Sequence, residues 1–162
     1  MDSAKLNFKY PLYFNSSVEE IEIKSINIIG DLFFKKNNKR IILDNVYLNG
    51  YINSDFDENS SSNIEIKDFT YKPKKESVEN CINLSGNVKI DNSYFYGDSS
   101  CQNRLLHYNG FTNFIININK SYFNGEYKCP FLGIENASKA NIKSSLFEKG
   151  YSSENIDGGY LK

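Results

Sequence analysis

VKIDNSYFYG (residues 88–97) and ININKSYFNG (residues 116–125) share one pattern, apolar-x-apolar-x-x-Ser-Tyr-Phe-x-Gly, set 28 residues apart. The same frame fits IEIKSINIIG from Ile21, IILDNVYLNG from Ile41 and IEIKDFTYKP from Ile64. Two looser copies are LNFKYPLYFN from Leu6 and ANIKSSLFEKG from Ala140, whose Gly comes one place late. Successive starts are separated by 15, 20, 23, 24, 28 and 24 residues, so the repeat is constant while the segment after each Gly varies. A fixed unit recurring at 20–30 residues is the signature of a stacked-repeat architecture.

Counting the decamer from 1 to 10, positions 1 and 3 are apolar: Ile21 and Ile23, Ile41 and Leu43, Ile64 and Ile66, Val88 and Ile90, Ile116 and Ile118. That alternation marks a strand with one buried face. The next inward pair falls at positions 6 and 8, not 5 and 7, so the chain must bend at positions 4 and 5. Position 5 holds Ser25, Asn45, Asp68, Asn92, Lys120 and Ser144, mostly small polar residues suited to a bend. Position 10 then turns the chain with Gly or Pro. A further apolar pair precedes several copies: Ile82 and Leu84, Leu106 and Tyr108, Leu132 and Ile134. Three short strands per repeat describe a rung of a right-handed parallel β-helix of about six to seven rungs, all-β, with residues 1–162 as one domain. Leucine-rich repeats need a helical return that no segment offers, and a β-sandwich has no reason to keep a decamer in register.

Stacking turns equivalent positions into ladders. Position 4 reads Lys24, Asp44, Lys67, Asp91, Asn119 and Lys143, alternating in sign through four rungs. Position 7 reads Asn27, Tyr47, Thr70, Tyr94, Tyr122 and Leu146 and points outward, with Tyr96 beside it at position 9. An exposed aromatic row is costly unless something covers it. A partner could do so, or the segment from Asp98 to Tyr108. The candidate binding site is therefore Tyr47, Tyr94, Tyr96 and Tyr122, with Asp91, Asp98 and Glu126 as an acidic rim.

A net charge of −1 gives no electrostatic reason to expect nucleic acid or an anionic membrane as partner. No apolar run approaches the roughly 20 residues needed to span a bilayer. MDSAKLNFKY lacks the apolar core of a signal peptide, which fits a cytosolic protein or a piece of a longer one.

Polysaccharide-cleaving β-helices need converging carboxylates, usually with an Arg. Here Asp31, Asp98 and Glu126 each follow a turn Gly, and the chain has two Arg, Arg40 and Arg104, and one His, His107. Asp98 and Glu126 stack if their rungs align, but acidic residues after a turn are ordinarily solvated. Neither a phosphate loop nor a spaced His/Cys metal set is present, so no enzyme activity, metal or cofactor is expected. Cys101 and Cys129 each stand four residues after a turn Gly, which predicts a Cys101–Cys129 disulfide with Cys81 free. Two unpaired loop thiols are the alternative. Asn15, Asn59, Asn83, Asn119 and Asn136 each begin an N-x-S/T sequon, though an Asn- and Ser-rich chain yields several by chance.

The S-Y-F-x-G units, the closing GGYLK (residues 158–162) and the loop cysteines resemble the β-helix repeats of large secreted and surface proteins, adhesins among them. Those repeats read I-x-I-x-x-S-x-F-x-x-N followed by a Gly-Gly strand, an architecture shared with pectate lyases. With this Asn-, Lys- and Ile-rich composition the chain also resembles scaffoldins of anaerobic gut fungi, whose modules act as cohesins for enzyme-borne dockerins. It departs from the general pattern in Gly for Asn at position 10 and in its long post-Gly segments. The resemblance implies a secreted, extracellular binding module cut from a longer repeat protein, with a dockerin-like domain as partner. A polysaccharide partner or a polysaccharide-degrading activity is the alternative.

Overall fold

A computed structural model of the chain describes residues 4–15 and 17–151. The GGYLK segment lies outside the described residues. Every strand pairing is parallel, and the described residues contain no helix. The fold is a parallel β-solenoid of about six turns. Each turn runs through three faces.

Face 1 carries positions 1 to 4: the first half of β3 (Glu20–Ile29), the first half of β5 (Arg40–Asn49), β7 (Asn63–Lys67), β10 (Asn87–Asp91), β13 (Ile115–Asn119) and β16 (Lys139–Lys143). Face 2 carries positions 6 to 9: β1 (Ala4–Asn7), the second halves of β3 and β5, β8 (Thr70–Lys72), β11 (Tyr94–Tyr96), β14 (Tyr122–Asn124) and β17 (Leu146–Glu148). Face 3 is a separate six-stranded sheet: β2 (Leu12–Tyr13), β4 (Leu32–Lys35), β6 (Ile52–Asp55), β9 (Val78–Ser85), β12 (Cys101–Asn109) and β15 (Leu132–Glu135). Faces 1 and 2 form one sheet because β3 and β5 run unbroken through the bend.

The bend is a column of left-handed residues. Ser25, Asn45, Asp68, Asn92, Lys120 and Ser144, position 5 of six rungs, have φ of 51°, 55°, 49°, 48°, 47° and 51°. Asn and Asp enter this region most readily after Gly, which accounts for the composition of the column and leaves Lys120 as its misfit. Neighbouring bend residues bond across rungs: Asn45 Nδ2 donates to Ser25 Oγ (3.2 Å) and Asn92 Nδ2 to Asp68 Oδ1. The charged column beside it stacks in register, Lys24 with Asp44, Asp44 with Lys67 and Lys67 with Asp91. Lys24 nevertheless makes its ion pair within its own strand, with Glu22 at 2.6 Å.

Inside, Leu43, Ile66, Ile90 and Ile118 are buried, while Ile23 and Ile142 at the terminal rungs are half-buried. Position 8 becomes aromatic toward the C-terminus. Phe95 and Phe123 stack at 4.6 Å and 9°, and Phe123 and Phe147 at 4.8 Å and 9°. Position 6 is a serine ladder in the later rungs. Ser93 Oγ accepts from Phe69 N (3.2 Å), Ser121 Oγ from Ser93 N (3.2 Å) and Ser145 Oγ from Ser121 N (3.1 Å). Each hydroxyl then donates to the carbonyl two residues back in its own rung. These groups sit where the bend interrupts the backbone ladder, so a hydroxyl satisfies an amide that would otherwise be buried without a partner. Where the chain turns from face 2 to face 3, a Cβ on Gly50 would collide with the carbonyl oxygen of Gly30, so the turn column accepts no side chain there.

The disulfide joins Cys81 to Cys101, with Cα atoms 5.2 Å apart, and Cys129 is the free, buried thiol. This corrects the expected Cys101–Cys129 bridge. An equal offset from the turn Gly does not give an equal height on face 3, because the next strand sets the register. Leu106 pairs with Leu132 and with Ile82, and β12 carries a bulge between Cys101 and Arg104. Leu106 stands nine residues after Gly97, whereas its partner Leu132 stands seven after Gly125, so equal offsets from the two Gly reach unequal heights.

Candidate aromatic face

Face 2 presents two outward columns. Asn27, Tyr47, Thr70, Tyr94, Tyr122 and Leu146 are in register along position 7. Position 9 contributes Ile29, Asn49, Lys72, Tyr96, Asn124 and Glu148. Tyr94 is 47% exposed and Leu146 53%, whereas Tyr47, Tyr96 and Tyr122 are half-buried. The segment from residue 98 to 108 does not cover them, because most of it is strand β12 of face 3.

Tyr94, Tyr96 and Tyr122 form one cluster. Tyr94 and Tyr122 centroids are 6.2 Å apart at 52°, and Tyr96 meets Tyr122 edge-on at 6.0 Å and 64°. Lys72 Nζ sits 5.4 Å above the Tyr96 ring, a cation–π contact on the exposed side. Tyr122 is fixed by polar bonds: its hydroxyl donates to Glu148 Oε2 and accepts from Asn124 Nδ2, both at 3.0 Å. Partial loss of water, then the Glu148 carboxylate, raises the Tyr122 hydroxyl above its ordinary pKa. The ring therefore stays neutral and held in place. Tyr47 stands apart, separated from the cluster by Thr70.

The acidic residues divide. Asp91 borders the face at the bend and accepts from Asn119 Nδ2 at 2.8 Å. Asp98 is half-buried at the turn into face 3 and accepts from the Ser100 amide at 2.7 Å, so it serves the turn more than the rim. Glu126 is exposed, and its backbone amide donates to Asn124 Oδ1. Sequence reasoning missed Lys72, Glu148 and Tyr127, the last 69% exposed in the turn after Gly125. Lys72 and Glu148 belong to position 9, and reading that column through every rung would have found them. Tyr127 lies in a segment of variable length, where no column exists to read.

Neither a protein-family model, nor a curated protein, nor a solved structure matches the chain.

Face 1 offers a second surface, a shallow groove of about 420 Å³. Asn63, Asn87 and Asn117 line it around Ile42 and Ile115, with Glu65 as its one carboxylate among the lining residues. Lys89 Nζ holds Glu65 Oε1 at 3.0 Å, and Arg40 is at the groove's end. Elsewhere, His107 Nε2 lies 3.5 Å from Glu135 Oε2 on face 3. Among the described residues no three His, Cys, Asp or Glu side chains gather as a metal site. Burial, reinforced by Asp98, pushes the Cys129 thiol up to about 12, which keeps it protonated and a poor nucleophile.

Proposed function

We propose that the chain is a non-catalytic protein-binding module of a secreted repeat protein, recruiting its partner through face 2. The observation that carries this is the aromatic cluster Tyr94–Tyr96–Tyr122, which stands in register on a sheet face that no described segment covers. Tyr gives large, rigid contact area at low entropic cost, and a buried-edge, exposed-face arrangement suits an interface anchor. The mutual tilts of 52° and 64° favour a protein over a polysaccharide. Sugar chains stack best on rings lying flat to one plane, whereas tilted rings leave pockets for side chains. Lys72 and Glu148 at the cluster's margins add a charge of each sign, which would orient a partner more than hold it.

The cohesin-like role, with a dockerin-bearing enzyme as partner, rests on the repeat resemblance and the extracellular setting it implies. The second reading, a carbohydrate-binding or polysaccharide-degrading β-helix, is favoured by the amide-lined groove on face 1. A retention assay separates them. Immobilised protein is challenged with a secreted proteome containing dockerin-bearing enzymes and, in parallel, with cellulose, xylan and pectin fragments. The reading expects a protein retained by the native chain and lost from Tyr94→Ala. Retention of a polysaccharide alone, insensitive to Tyr94→Ala, would move the site to face 1.

A further inference from the structure

The structure sorts the five sequons into two kinds. Asn83 lies in strand β9 and Asn119 at the end of β13, both half-buried and both bonded, Asn83 Nδ2 to Asn80 O (3.4 Å) and Asn119 Nδ2 to Asp91 Oδ1 (2.8 Å). Asn15, Asn59 and Asn136 are exposed. These three share a place in the rung: each lies in a connection from face 3 to face 1, after β2, β6 and β15 respectively. A rung visits faces 1, 2 and 3 in turn, so this corner is the one that does not border face 2.

Asn59 stands in the turn between β6 and β7; its backbone amide donates to Asp57 Oδ1 at 3.1 Å, and its side-chain amide has no hydrogen-bond partner among the described residues. Ser61, the hydroxyl residue of its sequon, is exposed beside it. Asn136 is held more closely, donating to Asn109 Oδ1 at 3.3 Å from a backbone with φ of 51°. Asn15 Oδ1 accepts from the Ser17 amide (3.0 Å) and hydroxyl (3.2 Å).

We infer that the corner from face 3 to face 1 is an N-glycan-bearing edge, with Asn59 its principal acceptor and Asn136 its second. The co-reactant is a lipid-pyrophosphate-linked oligosaccharide, the donor used by lumenal oligosaccharyl transfer. Asn59 Nδ2 forms a bond to the anomeric carbon, and the bond from that carbon to the pyrophosphate oxygen breaks. The lipid pyrophosphate leaves with its electron pair, and one amide proton passes to the transferase. A chain that forms the Cys81–Cys101 bridge needs an oxidising compartment, and that compartment is where such donors are found. A glycan on this edge adds bulk and solubility while leaving the tyrosine face clear, so the inference stands whether or not face 2 binds a protein.

The full chain, given a signal sequence, is secreted from a eukaryotic host alongside a control protein carrying one known accessible sequon. Peptide N-glycosidase in heavy-oxygen water then marks each formerly glycosylated Asn as a labelled Asp. Asn59 should be labelled in most molecules, Asn136 in fewer, and Asn83 and Asn119 in almost none. Ser61→Ala should remove one glycan from the intact mass without changing the melting temperature. An unlabelled Asn59 in secreted chain, with the control labelled, would overturn the inference. Labelling of Asn83 or Asn119 equal to Asn59 would overturn it too.

Discussion

Tyr94 and Phe95 are neighbours in one strand, as are Tyr122 and Phe123, yet the two columns behave as different materials. The inward rings stack at 4.6 Å and 9°, close to the strand spacing itself. The outward rings, on the same rungs, stand 6.2 Å apart and tilted by 52°. Register gives both columns the same rise. What differs is confinement: Phe95 and Phe123 are fully buried and pressed from every side, while Tyr94 is half open to water. Burial alone does not set the angle, since Tyr71, buried one rung earlier in the same column, lies 6.4 Å from Phe95 at 33°; two phenyl rings in register are what stack flat here. The same aromatic chemistry holds the solenoid together on one side of the sheet and is left available on the other.

The sharpest way to break this comparison is to empty the inward column. Phe95 touches Phe69, Tyr71 and Phe123, with ring centroids 5.9, 6.4 and 4.6 Å away. Phe95→Ala should cost about 3–5 kcal/mol by denaturant titration, whereas Tyr94→Ala one residue away should stay within about 1 kcal/mol. Equal losses would mean that the outward ring is structural.

The serine ladder gives a smaller effect. Ser93→Ala removes the acceptor of the Phe69 amide and the donor to Asp91 O, both buried or nearly so. A loss of about 1–3 kcal/mol is expected, with the fold retained by circular dichroism. A neutral result would show that water replaces the hydroxyl there.

The smallest effect runs the other way. Lys120 is the one residue of the bend column with neither a short polar side chain nor Gly's freedom, at φ of 47°. Lys120→Asn should raise stability by about 0.5–1 kcal/mol, read as a higher melting temperature. The equivalent exchange at Asn92, Asn92→Lys, should lower it by a similar amount.

Much of this was legible because a solenoid writes its geometry into columns. Positions 1, 3 and 8 predicted the core, and the residue skipped between positions 3 and 6 located the left-handed bend. The outward tyrosine row followed from the same count. The cysteines were misread because Cys101 and Cys129 lie in post-Gly segments of unequal length, where offset and height part company. Asp98 was placed on the rim by sequence, yet its carboxylate is spent on the Ser100 amide. Whether a polar residue serves a turn or a partner depends on local backbone direction, which periodicity does not encode. Lys72 stands in the position 9 column one rung before Tyr96, the ring it covers, so that column read through every rung makes it legible.

The central claim is that face 2, not face 1, is the binding face. The direct measurement is calorimetric titration of a dockerin domain from an anaerobic gut-fungal enzyme into the native chain, Tyr94→Ala, Tyr122→Ala and the face 1 control Lys89→Ala. Removing a central anchor typically costs at least 2 kcal/mol, so both tyrosine variants should bind roughly thirtyfold more weakly while remaining fully folded at the titration temperature. Lys89→Ala should match the native chain. Binding lost in Lys89→Ala but undiminished in both tyrosine variants, or no binding to the native chain, would contradict the account.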